Sequence, residues 1–307
     1  MTNFFFLAIG SIILFIGAES LVKGAASFAR RIGVPSVVIG LTVVSIATSS
    51  PELFVSIQAS LLGKGDISIG NVIGSNIANI GLIVGITVLI HPIFIHKRLL
   101  RIDAGIMLAA TVILVIIASI GTISSTIGLL LLLAAFLYMT LSIYFGRDKI
   151  NLESEIKMTK SFWIDLFLTA FGLTALIYGG HLFLASAISI AAAFGISDAI
   201  IGLSLIALGT SLPELATCVV AAFRGHQDIA LGNAIGSNIF NIFGIAGVAS
   251  YLNPIKVELI LPIDLIVLLL FTMVIIFQMY TKKELSRVEG GILLVGYFSY
   301  IAYLFTL

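Results

Sequence analysis

Apolar runs long enough to cross a lipid bilayer recur from one end of this chain to the other. The stretch 260–279 and the segment around 106–117 are typical. A helix of about 20 such residues spans the hydrocarbon core. With 60% of its 307 residues hydrophobic and 10% charged, the chain carries more apolar surface than one soluble core can hide. The runs are continuous, whereas barrel strands alternate over about 10 residues, which excludes a β-barrel. The expectation is an all-α integral membrane protein.

Ten spans are expected, near 4–28, 35–62, 67–91, 103–121, 124–146, 161–188, 197–223, 229–252, 260–281 and 288–306. The first lacks a basic leader and a cleavage site, so it is expected as a retained helix rather than a signal peptide. The one sizeable polar connection, 147–160, is too short for a soluble domain and reads as a linker. The net charge of +1 says little about partners, because the charges are sorted by loop. An even number of spans puts both termini on one side. Arg30, Arg31, Lys97, Arg98, Arg101, Arg147, Lys149, Lys157, Lys160, Arg224, Lys282, Lys283 and Arg287 fall in loops on the other side, against Lys64 and Lys256. The positive-inside rule then predicts a cytoplasmic 147–160 loop and external termini, in a cell membrane. Cys218 is the single cysteine, makes no internal disulfide, and sits in an apolar segment as a packing residue.

The chain is also written twice. Residues 33–80 lie on 195–242 without a gap at a constant offset of 162, and 22 of the 48 pairs are identical. Chance matching of apolar segments would yield Leu and Ile identities, but here Gly, Asn, Ser, Pro and Glu coincide. Five helices per copy is an odd number, so the second copy enters from the opposite side of the membrane. The expected organisation is one transmembrane domain, 1–307, made of an inverted repeat 1–146, the linker 147–160 and a second repeat 161–307. Secondary transporters of this plan carry their site near the midplane, at the repeat interface.

The most informative residues are Ala47-Thr48-Ser49-Ser50-Pro51-Glu52 and their match Gly209-Thr210-Ser211-Leu212-Pro213-Glu214. Each lies midway along an apolar span. An ionised carboxylate at that depth costs at least ~2.5–3 kcal/mol and requires a partner, yet no Lys or Arg lies at comparable depth nearby. A bound cation is the natural compensation. Pro51 and Pro213 lack an N–H for the carbonyls of Ala47 and Gly209, so the second and seventh helices are expected to break there. The break would turn main-chain oxygens and hydroxyls into a cavity and place each Glu in the first turn of a half-helix.

Two further segments, 70–79 and 232–241, share the pattern Gly-Asn-x-Ile-Gly-Ser-Asn-Ile-x-Asn. Asn71, Ser75 and Asn79 form one helical stripe, and Gly70 and Gly74 allow a neighbouring helix to approach closely. Ser75, Asn79, Ser237 and Asn241 are candidate ligands, while Asn71, Asn76, Asn233 and Asn238 serve equally well as interhelical glue. The donor set is all oxygen, which suits Ca²⁺ and Na⁺ rather than Zn²⁺ or Cu⁺. His91, His96 and His226 are expected near a membrane face. His181 lies inside the sixth helix, and Glu19 and Lys23 at i,i+4 are placed to satisfy each other.

These paired motifs resemble the two α-repeats of the cation/Ca²⁺ exchanger superfamily, with the sodium/calcium exchanger branch of prokaryotic type the nearest in pattern. The resemblance implies alternating access, in which helices one and six slide past the other eight while Na⁺ and Ca²⁺ compete for overlapping sites. It implies a Ca²⁺ site of Glu52, Glu214, Thr48 and Thr210. An outer Na⁺ site would use Glu52, Ser75, the Ala207 carbonyl, Thr210 and Ser211. An inner one would use the Ser45 carbonyl, Thr48, Ser49, Glu214 and Ser237, and Asn79 and Asn241 complete a middle site. The K⁺-dependent branch has Asp where this chain has Asn241, so K⁺ co-transport is not expected. Ala47 stands where the family usually has Gly, and Ser45 where it has a small apolar residue.

The expected function is therefore electrogenic, K⁺-independent exchange of Na⁺ for Ca²⁺, with the two ions as substrates and the lipid bilayer as surroundings. An H⁺/Ca²⁺ exchanger is the alternative, although such proteins usually carry Gly-Asn-x-x-Glu at the Thr-Ser-x-Pro-Glu position. A cation channel is more remote, since an inverted duplication suits alternating access. No nucleophile–base set points to an enzyme, and no cofactor, nucleic acid or obligatory protein partner is expected.

Overall fold

The computed structural model describes residues 2–95, 98–146, 158–194, 207–258, 260–282 and 284–306. Most of the linker, the segment 195–206 that opens the seventh expected span, and His96, Lys97 and Lys283 lie outside the described residues.

The long apolar runs form helices: α1 (Thr2–Ile32), α2 (Ser36–Thr48), α3 (Ser50–Leu61), α4 (Gly65–Ile90), α5 (Leu99–Ser119) and α6 (Ser125–Gly146). The second half gives α7 (Phe162–Ala193), α8 (Ala207–Gly209), α9 (Leu212–Phe223), α10 (Gln227–Leu252), α11 (Pro262–Lys282) and α12 (Arg287–Leu304). Among the described residues seven are long and apolar enough to cross a membrane, or eight if α2 and α3 are one bent span. Four two-residue strands, β1 (Ile93–Phe94), β2 (Thr122–Ile123), β3 (Ile255–Lys256) and β4 (Glu284–Leu285), tie loops together rather than build a sheet. β1 pairs antiparallel with β4, and β2 with β3.

The centre of the molecule is α3, α4, α9 and α10, whose mixed apolar and small polar faces are buried among the other helices. α1 and α7 pack along each other in opposite directions, Gly10 meeting Gly179 and Phe183 while Gly24 meets Asp165 and Thr169. The approach is backbone to backbone. A Cβ added at Gly172 would sit 2.4 Å from the Leu21 nitrogen, and one at Gly17 2.8 Å from that of Leu176. Helices in lipid associate through such small-residue contacts, because lipid is as apolar as leucine.

Glycine-mediated approach also occurs where α10 crosses α2. A Cβ at Gly236 would lie 2.5 Å from the Leu41 oxygen, and one at Gly232 2.6 Å from that of Val37. At the paired positions the expected approach is not seen. Among the described residues only Ile260 comes near Gly70 and nothing comes within 4 Å of Gly74. The repeat-mate of α2 falls largely in 195–206.

Charges near the helix ends are paired. Arg31 reaches Asp165 at 2.7 Å, and Arg98 donates to the Ser142 carbonyl at 2.7 Å. Glu19 pairs with Arg224 beyond α9, which corrects the expectation that Lys23 would satisfy it. An i,i+4 spacing permits a pair, but the packing of α1 against α9 brings a cation from elsewhere. His91 is exposed and meets Gln227. His226 is half-buried before α10, and burial holds its pKa below the ordinary value.

Candidate ion-binding site

Both proline motifs interrupt their helices. α2 ends at Thr48, Ser49 has φ −79° and ψ 11°, and α3 leaves at an angle of 48°. Ser211 has φ −88° and ψ 7° between α8 and α9. Pro51 and Pro213 occupy the first turn of each new half-helix, where a missing N–H is harmless, and Glu52 and Glu214 follow in that turn. One detail differs from expectation. The Ala47 carbonyl freed by Pro51 is taken by the Ser50 hydroxyl at 2.8 Å rather than left to line a cavity. Leu212, at the paired position, has no hydroxyl to do the same for Gly209.

Glu52 and Glu214 are each 1% exposed. The Ser49 hydroxyl donates to Glu214 Oε1 at 2.8 Å, and the Ser211 hydroxyl donates to Glu52 Oε1 at 2.9 Å. Each copy's serine thus holds the other copy's carboxylate. The second oxygen of each, Oε2, is buried and has no hydrogen-bond partner among the described residues. Charge-assisted hydrogen bonds fix the carboxylates in place, leaving one strong acceptor on each uncommitted.

The asparagines follow the same reciprocal pattern. Asn79 Nδ2 donates to Asn238 Oδ1 at 3.1 Å, and Asn241 Nδ2 donates to Asn76 Oδ1 at 3.0 Å. Asn76 and Asn238 are therefore partners that orient the neighbouring amides, the glue role, and Oδ1 of both Asn79 and Asn241 is left unpartnered. Ser75 Oγ, Ser237 Oγ and Thr210 Oγ1 are likewise buried and unpartnered. Thr48 behaves differently from Thr210, since its hydroxyl donates to Asn233 Oδ1 at 3.1 Å. The Ser45 carbonyl accepts the Ser49 amide at 3.0 Å, and Ala207 opens α8.

A π-helical turn begins at each of the two asparagines, over Asn79–Val84 and Asn241–Ile245. Such turns are frequent at functional sites, and nothing in the residue pattern announced them. Asn71 has a bracing role. Its amide donates to the Glu52 carbonyl at 3.1 Å and to Ser56 at 2.9 Å, bracing the half-helix that carries Glu52. Among the described residues no three His, Cys, Asp or Glu side chains converge on one point. What the arrangement offers is two buried carboxylates, each held by one serine hydroxyl, in a core that also buries neutral hydroxyl and amide oxygens, the kinds of oxygen that suit hard cations.

The fold and this core of paired polar residues define a polytopic helical membrane protein with buried carboxylates, hydroxyls and amides that bond reciprocally between the two copies of the motif. The profile of the family described as sodium/calcium exchanger protein matches the chain twice, over residues 2–144 and 164–306. The chain is similar to the sodium/calcium exchanger MaX1 of Methanosarcina acetivorans, with 34% identity covering 99% of this chain and 98% of that one. It is 32% identical to the putative antiporter CaxA of Alkalimonas amylolytica, covering 98% of both. Its fold superposes on the sodium-calcium exchanger NCX_Mj, soaked with Na⁺ and Ca²⁺, with a TM-score of 0.87 and 33% identity over 98% of each chain. The chain belongs to the sodium/calcium exchanger family, and is thus a membrane antiporter of ions rather than an enzyme.

Proposed function

We propose that this protein exchanges Na⁺ for Ca²⁺ by alternating access, without K⁺, at the site formed by Glu52, Glu214, Thr48, Thr210, Ser49, Ser211, Ser75, Ser237, Asn79, Asn241, Ser45 and Ala207. The observation that carries the reading is the set of buried, unpartnered oxygens: Oε2 of both glutamates, Oγ of Ser75 and Ser237, Oδ1 of Asn79 and Asn241, and Oγ1 of Thr210. Unpartnered buried acceptors cost free energy, and a transported cation relieves that cost for all of them together. Six of the seven form repeat-related pairs, as a site at a repeat interface requires.

The charge balance gives the mechanism. Ca²⁺ on two carboxylates is near neutral and can cross the barrier, whereas three Na⁺, the number the family resemblance implies, leave about one positive charge and make exchange electrogenic. Ten spans in two inverted five-helix copies, 1–146 and 161–307, joined by a cytoplasmic 147–160 linker, are the architecture this mechanism uses. The double match of the family profile and the offset of 162 support it. The relatives named as sodium/calcium exchangers support Na⁺ as counter-ion.

The deciding experiment measures Ca²⁺ uptake into vesicles with Na⁺ and H⁺ gradients imposed separately. Uptake driven by an outward Na⁺ gradient, indifferent to K⁺, is expected. Uptake that follows a pH gradient and ignores Na⁺ places the protein among H⁺/Ca²⁺ exchangers instead.

A further inference from the structure

Hydroxyls buried in helices ordinarily fold back onto the preceding turn, and several threonines of this protein do so. Thr42 donates to the Val38 carbonyl at 2.6 Å, Thr87 to Ile83 at 2.6 Å and Thr272 to Leu268 at 2.9 Å. Thr111 meets Thr272. Thr217 makes no such bond: it is 0% exposed and, among the described residues, its Oγ1 has no hydrogen-bond partner. In this it matches Thr210, Ser75 and Ser237, the hydroxyls of the candidate site, together with Ser68 Oγ, and not the threonines that fold back.

Its position is as specific as its lack of a partner. Thr217 lies three residues after Glu214 on α9, hence on the same face, about 4.5 Å further along the axis toward Arg224. Cys218 beside it is committed, its thiol donating to the Ala230 carbonyl at 3.3 Å. The repeat-related residue in α3 is Val55, of the same shape but with no hydroxyl. A buried hydroxyl in place of a methyl, given no protein partner, is an unrecovered desolvation cost unless something polar reaches it.

We infer that the Thr217 hydroxyl is a further ligand of the transported cation, used between Glu214 and the membrane face that carries Arg224. The inference rests on the exchange reading above and deepens it. The hydroxyl gives the ion an oxygen to move to as it leaves the carboxylates on that side. Because α3 has Val55 there, this step exists on one side of the membrane and not on the other.

The test is Thr217→Val, which keeps the shape and removes the oxygen. Ca²⁺ binding to the purified protein is measured first, then the half-saturating Ca²⁺ for transport at each face, in right-side-out and inside-out vesicles. The expected result is a loss of about tenfold in affinity at the Arg224 face, as for removal of a bond to a charged group. The opposite face should change little, and Thr217→Ser should restore the value. Should Thr217→Val fold poorly, Thr217→Ala with Thr217→Ser gives the same comparison. Ca²⁺ binding and transport that neither variant alters overturn the inference, and an equal loss at both faces overturns its one-sided placement. Absence of Ca²⁺ binding by the unmodified protein overturns the exchange reading itself, and this inference with it.

Discussion

The Ser49 hydroxyl donates to Glu214 at 2.8 Å across 165 residues of chain, and Ser211 returns the same bond to Glu52. Neither carboxylate is held by the serine of its own motif. Each copy's serine therefore holds the carboxylate of the other copy.

Replacing either carboxylate tests the centre of the site. Glu52→Gln and Glu214→Gln should each abolish Ca²⁺ transport and leave the protein inserted and folded. A neutral amide at this depth is cheaper to bury than an uncompensated carboxylate, yet it supplies one weaker oxygen where an anion is needed. Folded yield and Ca²⁺ flux are measured on the same preparations. Normal flux in either variant would remove that residue from the site.

The crossed serines have a graded effect. Ser49→Ala and Ser211→Ala each delete one hydrogen bond to a charged group, worth ~1.5–3 kcal/mol. Apparent Ca²⁺ affinity should fall at least about tenfold with the fold intact. The double variant should lose less than the sum if the two glutamates act as a unit. Equilibrium Ca²⁺ binding to all three variants checks this, and unchanged affinity in both single variants would show that the crossed bonds do not position the carboxylates.

Asn241 separates the K⁺-independent reading from its alternative. Asn241→Asp adds a third anion to the buried core that holds Glu52 and Glu214 and should make Ca²⁺ exchange respond to K⁺, whereas the unmodified protein should ignore it. Flux assays with and without K⁺ decide the point. K⁺ stimulation of the unmodified protein contradicts the proposal.

Orientation is open to direct labelling. Cysteine introduced at Thr2 should react with a membrane-impermeant reagent outside sealed cells, and cysteine at Lys157 should not. The native thiol adds little background, since Cys218 is buried. External labelling at 157 would reverse the topology.

The glycine contact between α1 and α7 makes a prediction about stability. Gly172→Ala forces a Cβ to within 2.4 Å of the Leu21 backbone, where nothing flexible can yield, and should destabilise by ~1–3 kcal/mol. Gly105→Ala, with nothing within 4 Å of the new atom among the described residues, should stabilise by ~0.5–1 kcal/mol. Thermal unfolding in detergent compares them, and equal effects would mean that α1 and α7 can separate without cost.

The class of protein, the doubled motif and the identities of the candidate ligands were legible in the residues, because each is a local property. Apolar run length identifies a membrane helix. A carboxylate such as Glu52 inside such a run marks a candidate site, and Pro51 three residues past Thr48 identifies a break. The docking of one helix on another decided the rest. Which serine holds which glutamate, that Asn76 and Asn238 orient Asn241 and Asn79, and that Arg224 rather than Lys23 meets Glu19 all depend on residues far apart in sequence. Ser50 capping the Ala47 carbonyl is local, yet it depends on a rotamer that residue spacing does not fix. Periodicity reports which face of a helix is polar, and only the packed structure selects the partner that face receives.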